Sequence, residues 1–251
     1  MSGHSKWSTI KRKKGKIDAE RGKIFTRLIR EITVAARHGG GNPDSNPRLR
    51  TAIAAAKEAS MPAENIKRAI MKGTGELPGQ VVEEVTYEGY GPGGAAVLVE
   101  VVTDNKNRVV SEIRHIFDRN SGNLGASGSV AWIFSKQGYF TVEKNKIGED
   151  DLLGVVLDAG ASDLQTSGDV YEIYTPFHSF EAVRQALEKN KIPYTQAEIT
   201  MTPSTTVRLE GKEAEHMLKL MEALEEHDDV QKVYSNFDID EAVMERISAS
   251  G

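Results

Sequence analysis

Apolar residues recur every three or four positions at the start of this chain and every second position later, and that change of period divides it. Ile24/Phe25, Leu28/Ile29, Ile32 and Ala35/Ala36 lie one helical turn apart. They predict a helix opening near Asp18 as N-cap and closing at Gly39. Pro47 after Asn46 opens a second helix through Leu49, Ile53 and Ala56, in an alanine-rich setting that favours helix. Pro62 opens a third, with Glu64 in its first turn, Ile66 and Ile70 inward and Gly73 closing it. Three short amphipathic helices read as a small bundle, and Gly73, Gly75, Pro78 and Gly79 as a linker.

From Val81 the period shortens towards two. Val85 and Tyr87 alternate with polar residues, Gly89–Gly94 makes a turn, and Ala95–Val102 reads as a buried strand. A helix through Val109/Val110, Ile113 and Ile116/Phe117 follows, then a Gly/Ser/Asn loop and a strand over Val130–Phe134. The next elements are a strand Tyr139–Val142, a helix Leu152–Leu157, strands near Leu164 and over Val170–Tyr174, a helix Phe180–Leu187 and a strand Ala197–Met201. That order is β-α-β-β-α-β, the ferredoxin-like sequence of elements. After Pro203 come a short strand Val207–Leu209, a helix Ala214–Leu224 and a strand Val230–Phe237. The first α/β piece lacks a second helix and a last strand, and the C-terminal piece supplies both. The expected fold class is therefore α+β: a basic arm and three-helix bundle over residues 1–78, a split α/β domain over 79–135 plus 205–238, a ferredoxin-like unit inserted at 136–204, and a tail at 239–251.

Charge sharpens this division. Residues 1–78 carry 17 Lys+Arg against 7 Asp+Glu, a net of +10, and the remainder carries 15 against 30, a net of −15. Five cations occupy the six positions 11–16, more than solubility requires. A cationic end on an acidic body suggests a protein that holds a polyanion at one end. Lys6, Lys11, Arg12, Lys13, Lys14 and Lys16, with Arg21, Lys23, Arg27 and Arg30 off the apolar stripe of the first helix, are the candidate phosphate contacts. Trp7 among them is a candidate for stacking on an unpaired base.

Other chemistries are disfavoured. The longest apolar stretch, Ala95–Val102, is short and interrupted by Glu100, so no membrane span is expected. With no cysteine there are no thiolate nucleophiles, disulfides or Cys-based zinc sites, and the cytoplasm is the expected compartment. Gly89-Tyr-Gly-Pro-Gly-Gly94 runs into a strand where a phosphate loop needs a helix. Lys136–Val142 resembles the aromatic strand of RNA-recognition modules only partly, within a segment of 6 Lys+Arg and 11 Asp+Glu. The run Glu225, Glu226, His227, Asp228, Asp229 lacks metal-ligand spacing and reads as hydrated surface. No catalytic signature is present, so no enzyme, no cofactor, no metal and no small-molecule substrate are expected.

Several motifs in fixed order carry a resemblance. Gly3-His-Ser-Lys-Trp7, the Lys11–Lys14 block, Phe25-Thr-Arg-Leu28-Ile, Gly41-Asn-Pro43-Asp, Asn46-Pro-Arg-Leu49-Arg, Met61-Pro-Ala-Glu-Asn65-Ile, Tyr87-Glu-Gly-Tyr90-Gly-Pro-Gly-Gly94 and Val233-Tyr-Ser-Asn236-Phe-Asp238 closely resemble the YebC/PmpR family. The resemblance implies three domains, no catalysis and no cofactor. Family members bear the name of transcriptional regulators. Some look like DNA-binding regulators, and others like ribosome-associated factors that assist difficult nascent sequences. The implied partner is nucleic acid, as DNA or as ribosomal or transfer RNA, or the ribosome itself. A mobile basic arm and a stacking tryptophan suit RNA, the name suits DNA, and both stay open at this point.

Overall fold

A computed structural model of the chain describes Trp7, residues 19–78 and residues 81–250. Three helices come first: α1 (Ala19–Gly39), α2 (Pro47–Glu58) and α3 (Ala63–Thr74). Their shared core is Ile32, Ala35, Ala36, Leu49, Ala52, Ala56, Met61, Ile66 and Ala69. Asn46 joins two of them. Its side-chain oxygen accepts from the Leu49 N–H at the start of α2, while its amide nitrogen donates to the Ala35 and Gly40 carbonyls at the end of α1. One buried amide thus satisfies orphan groups at two helix ends.

Gly73 does not close α3. The helix continues to Thr74 and ends on Gly75, whose φ of 83° is the left-handed conformation of a C-cap. Gly73 instead lets α3 cross α1 closely: a Cβ there would lie 2.4 Å from the Thr33 carbonyl oxygen and 2.7 Å from the Ala36 Cβ. Gly73→Ala should therefore cost about 1–3 kcal/mol through overpacking, although alanine is the better helix former. Gly22→Ala on α1, where nothing lies within 4 Å, should stabilise. Urea unfolding of the two variants checks the opposite signs.

A second core surrounds a sheet. Strands β1 (Glu83–Tyr90) and β2 (Ala96–Thr103) form an antiparallel hairpin, followed by α4 (Lys106–Arg119) and a short β3 (Asn123–Leu124). The chain leaves at Ala131 and returns at Thr206. It then forms β8 (Val207–Arg208), α7 (Gly211–Glu226), β9 (Val230–Ser235) and β10 (Phe237–Asp238), numbered after the intervening elements given below. The four-stranded sheet runs β3-β1-β2-β9, so the returning strand completes the sheet at its β2 edge. The strand expected over Val230–Phe237 is broken at Asn236, whose side chain accepts from the Ala96 N–H at 2.7 Å. The expected tail at 239–251 is also corrected: Glu241–Ser250 is a helix, α8, with Met244 fully buried and Val243 and Ile247 packed on the sheet core.

Trp132–Thr205 forms one compact unit, and the described residues before and after it form the other. The boundaries thus fall at 131/132 and 205/206, where the sequence pattern suggests 135/136 and 204/205, and the bundle belongs to the same unit as the split sheet. Within 132–205 run β4 (Phe134–Glu143), α5 (Glu149–Asp158), β5 (Asp163–Ser167), β6 (Val170–Pro176), α6 (Phe180–Lys189) and β7 (Gln196–Pro203). The sheet order β5-β6-β4-β7, antiparallel throughout, is ferredoxin-like. No strand forms over Val130–Ile133. That stretch ends in a 3₁₀ turn, Ala131–Ile133, because its amide groups are bonded elsewhere.

Candidate nucleic-acid interface

The cationic face of α1 meets protein. Arg27 donates to the Glu225 carbonyl in the last turn of α7, and Arg30 to the Asp228 carbonyl just beyond the helix. The carbonyls that close a helix carry partial negative charge and lack intrahelical donors, so arginine suits them. Arg30 also pairs with the Asp229 carboxylate at 2.6 Å. That carboxylate is only 2% exposed. It accepts in addition from the Thr103 hydroxyl at 2.9 Å and from Arg108 at 2.5 Å. Burial alone would raise the Asp229 carboxyl, but the Thr103 bond and the two guanidinium groups outweigh it and hold it below the ordinary range. His227 completes the cluster, with Nε2 2.9 Å from Glu112 and Nδ1 accepting the Asp229 N–H.

A second set of bonds clamps the other end of the bundle. Arg48 bridges Glu31 at 2.7 Å and Glu84 at 2.5 Å, and Arg37 donates to the Val82 carbonyl at 2.8 Å. The two carboxylates raise Arg48 further above its ordinary value. The arginines on the polar sides of α1 and α2 thus dock the bundle on the split α/β domain.

This changes the reading of the run at 225–229. Its backbone and Asp229 form the seat of α1, where hydrated surface was expected. Among the described residues, no three His, Cys, Asp or Glu side chains gather as metal ligands, and no helix is long and apolar enough to cross a membrane. Of the sequence-predicted contacts, Lys6, Lys11, Arg12, Lys13, Lys14 and Lys16 lie outside the described residues, as does the Arg21 side chain. Lys23 is half-buried on α1. Trp7 is 5% exposed and packs in the sheet core with Val97, Val99, Ile113 and Met217 in the same cluster. The large apolar indole is inside, where the sequence suggested a ring available to stack on a base.

Two other features bear on recognition. Glu88, buried on β1, accepts from the N–H groups of Gly128, Val130 and Ala131 at 2.6, 2.8 and 2.7 Å. Burial pushes its carboxyl up, and those three bonds more than reverse this. Tyr90 adds a bond from its hydroxyl to the Ser129 carbonyl. The loop so fixed leads to Trp132, which is 74% exposed. In the inserted unit, Tyr139 and Tyr174 face each other across the two central strands, ring centroids 5.3 Å apart. Both hydroxyls donate to the fully buried Glu172. These rings belong to a closed polar network, and Lys136–Val142 lies within an ordinary strand.

Residues 5–76 match the model of the TACO1/YebC protein N-terminal domain, and residues 82–237 that of the TACO1/YebC second and third domain. A protein of Desulfosudis oleivorans is 60% identical over 98% of this chain and all of its own length, and one of Solibacter usitatus is 59% identical over 99% and all of its own. Both bear the name "Probable transcriptional regulatory protein". The crystal structure of a conserved hypothetical protein from Aquifex aeolicus is 51% identical, with a TM-score of 0.79 over 90% of this chain and 93% of that one. With both domain models matched in order and relatives of this identity along nearly its whole length, the chain belongs to the TACO1/YebC family.

Proposed function

We propose that the protein is a non-enzymatic, cytoplasmic regulator of gene expression that binds nucleic acid through the cations ahead of Ile17, with Arg21 and Lys23 beside them. The observation that carries this is where the arginines go. Residues 1–78 hold a net of +10, yet Arg27, Arg30, Arg37 and Arg48 are bonded within the protein. Of the cations left, the six at positions 6–16 are the densest group in sequence, and this supports them as the phosphate-binding set. Each phosphate they neutralise releases condensed counterions, which favours binding without reading sequence. The names of the relatives favour a transcriptional role. Arg27 and Arg30 act indirectly, by fixing the direction in which α1 leaves the split domain.

Crosslinking in cells followed by sequencing of the bound DNA and RNA tests the reading. Enrichment at promoters is the expected result. Enrichment on ribosomal RNA would overturn the transcriptional assignment while keeping the polyanion grip, and no enrichment on either would remove both.

A further inference from the structure

On α1 and α2, Arg27, Arg30, Arg37, Arg48 and Arg50 all bond to carbonyls or carboxylates of the protein itself. The outward side of α3 differs. Ile66 and Ala69 are buried and Gly73 lies close against α1. Helical spacing then puts Glu64, Lys67, Arg68, Met71 and Lys72 on the far side, and Lys67, Arg68 and Lys72 are exposed. Among the described residues, none of these three cations meets a carboxylate. Glu64 stands one helical turn before Arg68, the spacing and orientation at which a helix forms such pairs, yet the two do not bond. On other helices the corresponding pairs do form: Arg108 with Glu112 at 2.9 Å on α4, and Arg184 with Glu181 at 2.7 Å on α6. Lys72 lies in the last turn of α3 and also favours the helix end. Lys67 and Arg68 lie in the middle of the helix and have no such role.

The surroundings narrow what this face takes. Unpaired cations held on one rigid helix beside a single carboxylate suit an anion with regularly spaced charges. Residues 26–86 contain no Phe, Trp or Tyr, so neither α2 nor α3 offers a ring of the kind on which single-strand binders stack bases. What is left is phosphate contact, which fixes a protein on a duplex without reading its sequence. Resting on the nucleic-acid reading above, and on the promoter target expected there, we propose that the outward face of α3, through Lys67, Arg68 and Lys72, binds the phosphate backbone of duplex DNA as a contact in addition to the arm.

The test follows binding of the full chain against salt on a mixed-sequence DNA duplex, an RNA duplex of the same length and polythymidine. The triple variant Lys67→Gln, Arg68→Gln, Lys72→Gln should make the slope of log K against log salt on the DNA duplex shallower by roughly 2.7, at about 0.9 per phosphate, and weaken binding roughly tenfold or more. Its melting temperature should match that of the native protein, because the three positions are exposed and glutamine is a good helix former. Removing the same charge from α4 and α7, with Arg114→Gln, Lys212→Gln and Lys219→Gln, should leave the slope unchanged. A native slope in the α3 variant, or an equal drop in both variants, would overturn the face as a contact while the grip of the basic arm stands. Binding of the native chain confined to the RNA duplex or to polythymidine would overturn the choice of duplex DNA. Failure to bind any of the three overturns both this face and the nucleic-acid reading.

Discussion

Asp229→Ala should cost about 3–5 kcal/mol in unfolding free energy, the largest loss expected of any single substitution considered for this protein. The reason is what remains. Removing the carboxylate takes from Arg30 and Arg108 the buried anion they share, leaving them the Asp228 carbonyl and Glu112, and deprives the Thr103 hydroxyl of its acceptor, and unsatisfied buried groups cost more than the bonds they replace return. Asp229→Asn keeps the shape and part of the bonding but loses the charge, so its penalty should be smaller. The pH dependence has a definite sign. The folded carboxyl lies below its ordinary value, so its contribution is complete above the unfolded value of about 4 and disappears as pH falls through the lower folded value. Native protein and Asp229→Asn should therefore differ in urea at neutral pH and converge in acid. An equal gap at both would assign the stability to packing. Because Arg30 belongs to α1 and Asp229 to the segment after α7, a double-mutant cycle between them measures the docking of the bundle directly.

What could be read from sequence followed from how local the cause was. The three helices of the bundle show their apolar stripes within single turns, and Asn46-Pro47 and Pro62 mark their starts. The ferredoxin-like order of the inserted unit was legible from alternation and spacing. Less legible were elements whose cause lay far away. Arg27 and Arg30 sit off the apolar stripe, which identifies the side turned from the bundle core but not what else covers it. Their partners lie 198 residues further on. The same separation hid the role of Glu225–Asp229, which in sequence is only an acidic run after a helix. Val130–Phe134 is apolar enough for a strand, yet Glu88 takes two of its amides and turns it. That turn brings Trp132 out, while Trp7, placed among cations, goes in. The helix at the C-terminus does carry a local signal: Ile239, Val243 and Ile247 are spaced at four, with Met244 beside them.

The basic arm should account for most of the salt dependence of nucleic-acid binding. If Lys11, Arg12, Lys13 and Lys14 each neutralise one phosphate, changing all four to alanine should reduce the slope of log K against log salt by roughly 3, at about 0.7 per phosphate on a single strand and 0.9 on duplex. Alanine substitution is the right perturbation here, because removing the arm outright would also withdraw Trp7 from the sheet core and confound binding with stability. The fourfold variant leaves the bundle docked through Arg30–Asp229 and Arg48–Glu84, so its melting temperature should match that of the native protein. The decisive measurement is the salt titration of this variant beside the native chain on one oligonucleotide. A slope shallower by roughly 3 is the result expected if the arm holds the polyanion, and an unchanged slope with undiminished affinity would contradict it.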